Sequence, residues 1–136
     1  ILEDLTPTLG TRHPKSINFM SKHRQYYAAF KTNNAVLSEI KAMETKVDKY
    51  PFYEIKKADY QKKKSAIKNG DILAFTSTIA GLDVNHEGLA LWINGELFFM
   101  HASSEQKKVV ISNEPLGVYL GRIKKHAGLM VLRVNS

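Results

Sequence analysis

The sequence predicts an α+β fold, with a mainly antiparallel sheet packed with helices, in a single domain spanning residues 1–136. Three observations support this. Helical periodicity dominates the first half of the chain, short apolar runs with strand-like character dominate the second, and one amphipathic helix interrupts the second half. With 43% hydrophobic and 24% charged residues, the chain has the composition of a globular domain with its own core.

The clearest helix of the first half is expected to follow Asn33 or Asn34 and to continue to about Lys49. Apolar residues recur along it at helical spacing, either asparagine is a suitable cap, and Pro51 ends it. A shorter helix is expected from Lys22, with Ser21 as its cap. The other elements predicted here are strands at 1–5 and 52–55 and an exposed, lysine-rich helix within 56–68.

The second half is expected to be built around a hairpin, because Asn94-Gly95 separates two apolar runs and both residues tolerate the positive φ of a type I′ turn. Both faces of this hairpin are apolar, which predicts a place in the middle of a sheet covered on both sides. The other elements predicted here are strands at 72–76, 109–112 and 129–134 and a helix from Pro115 to about Lys125.

Two histidines lie near the outer ends of the hairpin. A two-residue turn at Asn94-Gly95 places His101 opposite Gly88, so that His86 and His101 share one face as diagonal neighbours, roughly 7–8 Å apart at the backbone. Gly88 has no side chain, and the space beside His101 is therefore expected to be open. The sequence thus predicts two imidazoles that face one gap.

This pair suits proton transfer, because the unperturbed pKa of histidine is about 6.5. His86 would act as a base and His101 would orient it, as in nucleophile–base–orienter arrangements. Metal binding by the pair is the alternative, although catalytic zinc normally takes three protein ligands and the remaining histidines are scattered. Ser103 lies near His86, but no G-x-S-x-G elbow surrounds it.

Charge and cysteine content narrow the function further. The net charge of +7 favours anionic partners, although a solvated lysine-rich surface is the more usual explanation of such a charge. A nucleic-acid site in the lysine-rich segment has little support, since Tyr60 is its only interleaved aromatic residue. The chain contains no cysteine and hence no thiolate nucleophile of its own. It begins with Ile1 rather than methionine, and we expect a processed product or a fragment.

The segment DVNHEGLALWINGELFFMHASS resembles the core of the NlpC-type cysteine peptidase superfamily, which has an H-x-G strand, a turn and a second strand ending in H-A-S. In this chain the motifs are His86-Glu87-Gly88 and His101-Ala102-Ser103. The surrounding segments INFMSKHRQYY and GLMVLRV are similar to the bacterial N-acetylmuramoyl-L-alanine amidase-like branch. The similarity covers most of residues 16–134.

The resemblance implies a papain-like fold in which His86 is the general base and His101 the third catalytic residue. The implied reaction is hydrolysis of the N-acetylmuramoyl–L-alanine amide of muropeptides, including anhydro-muropeptides, without a metal or other cofactor. It also implies that Ser103, Asp83 and His23 line the substrate cleft, and that the protein acts in the periplasm or outside the cell.

The chain departs from the family pattern in one respect, because the family's cysteine lies upstream of the region represented here. We therefore expect residues 1–136 to be the C-terminal part of a longer catalytic domain, inactive without the upstream cysteine. A non-catalytic module that binds peptidoglycan or glycan is the alternative.

Overall fold

The computed structural model of the chain describes residues 1–135, which form an α+β structure with one antiparallel sheet. This confirms the predicted fold class. Eight strands make up the sheet: β1 (Leu2–Asp4), β2 (Thr11–Arg12), β3 (Tyr53–Lys56), β4 (Ile72–Ser77), β5 (Val84–Ile93), β6 (Glu96–Ser103), β7 (Lys108–Ile111) and β8 (His126–Val134).

The strand order is β2-β3-β8-β4-β5-β6-β7, and β1 pairs with the end of β8. Every pair in the sheet is antiparallel. The C-terminal strand β8 therefore lies inside the sheet, between β3 and β4. The five helices are α1 (Thr6–Leu9), α2 (Phe19–Lys22), α3 (Asn34–Val47), α4 (Tyr60–Lys63) and α5 (Leu116–Arg122).

The hairpin of β5 and β6 has the predicted turn and register. Asn94 has a φ of 50° and Gly95 a φ of 80°, as a type I′ turn requires. Ile93 pairs with Glu96, and Leu89 pairs with Met100. The turn therefore fixes which residues of the two strands share a face.

One face of the sheet carries the core. Phe75, Phe99 and Leu73 are completely buried there, together with Leu129 and Val131 of β8. Helix α5 packs against this face through Leu116 and Leu120, which are also buried. We call this the inner face.

The opposite, outer face is apolar but largely uncovered within residues 1–135. Cross-strand neighbours form one apolar row from β8 to β7, made of Leu132, Ile72, Leu89, Met100 and Ile111. The exposed fractions are 43% for Leu89, 39% for Met100 and 47% for Ile111. The prediction that both faces of the hairpin are covered is therefore wrong for the described residues, because only the inner face has helices packed on it.

Three local predictions also differ from the structure. The short helix covers Phe19–Lys22 rather than beginning at Lys22, since the His23 side chain bonds the Phe19 carbonyl and the backbone turns there. The lysine-rich segment is one α-helical turn flanked by 3₁₀ turns, with Tyr60 buried. Helix α3 is capped by Asn33 as predicted, but its apolar residues Met43 and Val47 remain 46% and 44% exposed.

Candidate functional site

The two histidines of the hairpin lie on the inner face, at the rim of the core. The His86 ring lies 5.8 Å from that of Phe75, and the His101 ring lies 4.4 Å from that of Phe99, measured between ring centroids. Both phenylalanines are completely buried, and their rings pack against the imidazoles. The core therefore sets the position of both histidines.

The two imidazoles form a direct hydrogen bond, 2.7 Å long, between His86 Nε2 and His101 Nδ1. Their planes are almost perpendicular, at 88°. When His86 Nε2 carries the hydrogen and His101 Nδ1 accepts it, His86 Nδ1 keeps a free lone pair. Within residues 1–135, His86 Nδ1 makes no hydrogen bond. In this tautomer, Nδ1 of His86 can act as a base, and Nε2 of His86 is fixed by its hydrogen bond to His101.

Both members of this histidine dyad favour the neutral form. Burial lowers the pKa of His86 most, and the positive charges that His101 and Lys125 can carry lower it further. Burial also lowers the pKa of His101. A proton on both rings would place two N–H donors against each other. At neutral pH both rings therefore favour the uncharged form, in which the dyad can accept a proton.

A β-bulge in β5 lies directly before His86. Phe75 pairs with His86 and Thr76 pairs with Val84, so that Asn85 is the extra residue. The Asn85 amide nitrogen donates to His126 Nδ1 at 3.1 Å and also to the Lys125 carbonyl. His126 Nε2 in turn lies 3.3 Å from the Tyr119 hydroxyl. The bulge thus ties a third histidine to the end of the strand that carries His86.

Gly88 does not leave an open gap beside His101, and that prediction is wrong. A Cβ atom at Gly88 would lie 2.7 Å from the Met100 carbonyl oxygen, 2.9 Å from the Phe99 ring and 3.4 Å from the His101 Cβ. The neighbouring strand and the Phe99 ring fill the space. Gly88 allows β5 and β6 to approach closely under the dyad.

Two surface hollows adjoin the dyad. The larger, of about 710 Å³, is lined by the outer-face residues Leu89 and Met100 together with His86 and His101. The second, of about 580 Å³, is polar and is lined by His101, Ser103 and Arg122 among others. His101 borders both hollows.

Of the other predicted site residues, Ser103 lies beside the dyad, whereas Asp83 and His23 do not line either hollow. Ser103 lines the polar hollow with His101, and its Oγ accepts a hydrogen bond from the Gln106 backbone. Asp83 forms an ion pair of 3.5 Å with Lys15 just before β5, where burial raises its pKa and Lys15 opposes that effect. His23 is stacked on Phe19 at 4.2 Å. Asp83 and His23 lie outside both hollows.

Two features of the site are not predictable from the sequence. No pattern along the chain connects His126 with Tyr119 of α5, whereas the structure joins them. The Tyr119 ring lies 6.1 Å from that of His101 and 5.5 Å from that of His126. An isolated histidine carries no periodic signal. The extra residue at Asn85 is equally invisible in an apolar strand pattern.

His126 makes stability sensitive to acid. It is completely buried, and burial lowers its pKa to about 4. The unfolded chain takes up this proton as the pH falls through 6.5, but the folded chain does so only near 4, so the free energy of unfolding decreases across that window. A fall in pKa from 6.5 to about 4 corresponds to about 3 kcal/mol. We expect urea unfolding at pH 7 and at pH 4 to differ by about that amount more in the wild type than in His126→Gln.

The control is Gln106→Ala, which changes an exposed residue without a titratable side chain. It should keep the acid sensitivity of the wild type. An equal loss of stability on acidification in His126→Gln and in the wild type would contradict the assignment.

Two general features complete the description of the site. Within residues 1–135, no group of three or more histidine, aspartate or glutamate side chains is arranged to hold a metal ion. The dyad nitrogens face each other at hydrogen-bond distance rather than facing a common ion. In the same residues, no helix is both long and apolar enough to cross a bilayer.

These observations define an α+β protein with a neutral imidazole dyad at the rim of an antiparallel sheet. The sequence matches the family described as AmiA-like, N-acetylmuramoyl-L-alanine amidase-like, over residues 1–129. The chain belongs to this family. A search of curated proteins gave no match.

Solved structures show the same fold. An N-acetylmuramoyl-L-alanine amidase from Bacteroides uniformis is 34% identical, with a TM-score of 0.90 over 99% of this chain and 58% of its own. A Bacteroides fragilis protein with the provisional name xylanase is 32% identical, with a TM-score of 0.85 over 98% of this chain and 59% of its own. The chain thus spans somewhat more than half the length of these relatives.

A third structure is more distant. Protein LPG0564 from Legionella pneumophila is 22% identical, with a TM-score of 0.62 over 100% of this chain and 57% of its own. At this identity the likeness concerns the fold alone.

Proposed function

We propose that residues 1–136 form the base-and-orienter part of a cell-wall cysteine amidase that hydrolyses the N-acetylmuramoyl–L-alanine amide of muropeptides, including anhydro-muropeptides. The observation that carries the proposal is the 2.7 Å hydrogen bond between His86 Nε2 and His101 Nδ1. It holds one nitrogen of His86 and leaves Nδ1 for a nucleophile. Membership of the amidase-like family supports the choice of reaction.

In this mechanism His86 is the general base. Its Nδ1 takes the proton from a thiol, and the thiolate attacks the lactyl carbonyl carbon of the muramoyl group. The protonated His86 then gives the proton to the departing amine of L-alanine as the C–N bond breaks. Water, deprotonated by His86, attacks the thioester carbonyl carbon. The C–S bond breaks, the muramic acid is released, and the proton on His86 returns to the departing thiolate.

His101 serves this cycle through His86. By accepting the Nε2 hydrogen, its Nδ1 fixes the tautomer in which Nδ1 of His86 is free. It also stabilises the imidazolium that forms when His86 holds the transferred proton. Burial and the lowered pKa keep both rings neutral before the reaction begins.

The nucleophile has to come from outside residues 1–136, because these contain no cysteine. We propose that they are part of a longer catalytic domain of papain-like arrangement, with the cysteine in a segment that precedes them. That the chain matches only 58% of the Bacteroides uniformis amidase is compatible with this. The dyad alone is then inactive.

The substrate surface is proposed to include Ser103, which lines the polar hollow beside His101. Asp83 and His23, which lie outside both hollows, would contact more distant parts of a muropeptide. The net charge of +7 suits an anionic substrate. A substrate of this kind supports a location in the periplasm or outside the cell, which we include in the proposal.

A thiol-alkylation experiment tests the proposal. We expect residues 1–136 alone to leave N-acetylmuramoyl-L-alanyl peptides intact, and the longest natural form of the polypeptide to release the free peptide. Iodoacetamide should abolish that release, and since residues 1–136 have no cysteine, the alkylated group must lie elsewhere. Hydrolysis that resists alkylation, or hydrolysis by residues 1–136 alone, would contradict the cysteine mechanism.

A non-catalytic module that binds peptidoglycan or glycan is the second candidate, favoured by the positive charge. Such a module would bind muropeptide equally well with His86→Ala and would lose affinity steeply as salt rises from 50 to 500 mM, roughly the range over which charge screening becomes strong. Glycoside hydrolysis has less support, because it uses a pair of carboxyl groups. The groups brought together here are two imidazoles.

A further inference from the structure

The polar hollow beside His101 contains a guanidinium group with a fixed position. Arg122 Nε donates to Glu114 Oε1 at 2.9 Å, and Arg122 Nη2 donates to the same oxygen. The guanidinium carbon also lies 5.7 Å from the centre of the Tyr119 ring, within the range of a cation–π contact. Arg122 is thus held on two sides although its side chain is 57% exposed.

This ion pair is connected to the dyad through the backbone of β6. Ser112 Oγ donates to the Glu114 carbonyl at 2.9 Å and accepts the Phe99 N–H at 3.2 Å. Phe99 is the residue whose ring supports His101. The position of Arg122 relative to the catalytic dyad is therefore set by a continuous series of contacts.

The pair has unused hydrogen-bonding capacity on both sides. Within residues 1–135, Nη1 of Arg122 and Oε2 of Glu114 make no hydrogen bond. A guanidinium fork matches a planar carboxylate, and a free carboxylate oxygen accepts an amide N–H. Glu105 also lines the hollow, and the negative charges of Glu105 and Glu114 disfavour a phosphate, which carries two charges on one group, more than a carboxylate, which carries one. A ligand that combines a carboxylate with a neighbouring amide, as a peptide does, fits best.

We propose that Arg122, held by Glu114 and Tyr119, is the carboxylate-binding residue of a subsite beside His101 that takes the peptide stem of the muropeptide. This inference rests on the proposed function for the identity of the ligand. The stem carries free carboxylates next to peptide amides.

Binding of two matched probes tests the subsite without hydrolysis. N-acetylmuramoyl-L-alanyl-D-glutamic acid carries two carboxylates, and its diamide has the same size and none. By isothermal titration with the longest natural form of the polypeptide, carrying His86→Ala to prevent hydrolysis, Arg122→Gln should weaken binding of the diacid about tenfold, the effect of one charged hydrogen-bonded contact. Binding of the diamide should change less than about twofold, since no charged contact is lost.

Two further variants make the test specific. Lys124→Gln removes the same charge from an exposed residue outside the hollow and should leave the affinity for the diacid within about twofold, as screened surface charges do. Arg122→Lys keeps the charge but not the fork, and its affinity should lie between those of the wild type and Arg122→Gln. Circular dichroism confirms that each variant is folded.

Equal weakening of both probes by Arg122→Gln, or a matching loss in Lys124→Gln, would overturn the subsite. Its failure is distinct from failure of the proposed function. If Arg122 binds carboxylates selectively but the longest form of the protein cleaves no muropeptide, the subsite proposal stands and the amidase proposal is contradicted. If cleavage depends on His86 but binding of the diacid is unchanged in Arg122→Gln, the amidase proposal stands and the subsite proposal is contradicted.

Discussion

Under the proposed mechanism, replacing His86 by alanine in the longest natural form of the polypeptide should reduce kcat/KM for an N-acetylmuramoyl-L-alanyl peptide by at least about 10³-fold, near the upper range for loss of a general base. The structure explains the size of the effect. His86 Nδ1 is the dyad nitrogen left free by the hydrogen bond to His101, and neither Phe75 nor Phe99 can accept a proton in its place. Release of free peptide, followed by chromatography, measures the rate.

Substitutions of His101 test whether this residue acts by orienting His86. His101→Ala should lower kcat by about 10²-fold with little change in KM, because His86 keeps its chemistry but loses its fixed tautomer. His101→Asn places an acceptor where Nδ1 now lies and should recover part of the rate. His13→Ala, at a half-exposed histidine, is the control. Turnover close to that of the wild type in His86→Ala would remove the dyad from the mechanism.

Gly88→Ala should destabilise the chain by about 2 kcal/mol, as expected when an atom is forced into a packed site. The added methyl group would lie 2.7 Å from a backbone oxygen of Met100, which cannot rotate away, and 2.9 Å from the Phe99 ring. Displacement of Phe99 would also move the support of His101 and lengthen the imidazole contact. Urea unfolding gives the change in stability, and histidine NMR signals report on the dyad.

Gly121→Ala is the matched control for this substitution. Gly121 lies in α5, and an added Cβ would meet nothing within 4 Å. Alanine should be neutral there or stabilise the helix by up to about 1 kcal/mol, because glycine is a poor helix former. A Gly88→Ala protein as stable as the wild type would show that the two strands can separate at this point.

How much of the site could be predicted depends on the range of the signals involved. Asn94-Gly95 fixed the turn, the turn fixed the register, and the register brought His86 and His101 together as predicted. Each step depends on neighbours along one hairpin. The contact with His126 depends instead on a bulge in β5 and on pairing between β4 and β8, which are far apart in sequence.

Burial was harder to predict than the elements themselves. The apolar stripe of α3 and the apolar outer face of the hairpin were recognised, but periodicity identifies a face and not its partner. Met43 remains 46% exposed and Leu89 43% exposed. Gly88 illustrates the same limit at a single residue, since a missing side chain indicates either open space or close packing, and the structure shows close packing.

The uncovered row of Leu89, Met100 and Ile111 has a consequence for the colloidal behaviour of the chain. The uncovered face of an antiparallel sheet usually presents polar side chains to water, whereas this sheet presents a row of apolar side chains. The row ends at β7, a short edge strand of four residues. Preparations of residues 1–136 should therefore adsorb to hydrophobic resins, bind fluorescent apolar dyes while folded, and cluster as their concentration rises. We expect this apolar row to limit the solubility of residues 1–136 in solution, although a net charge of +7 favours solubility.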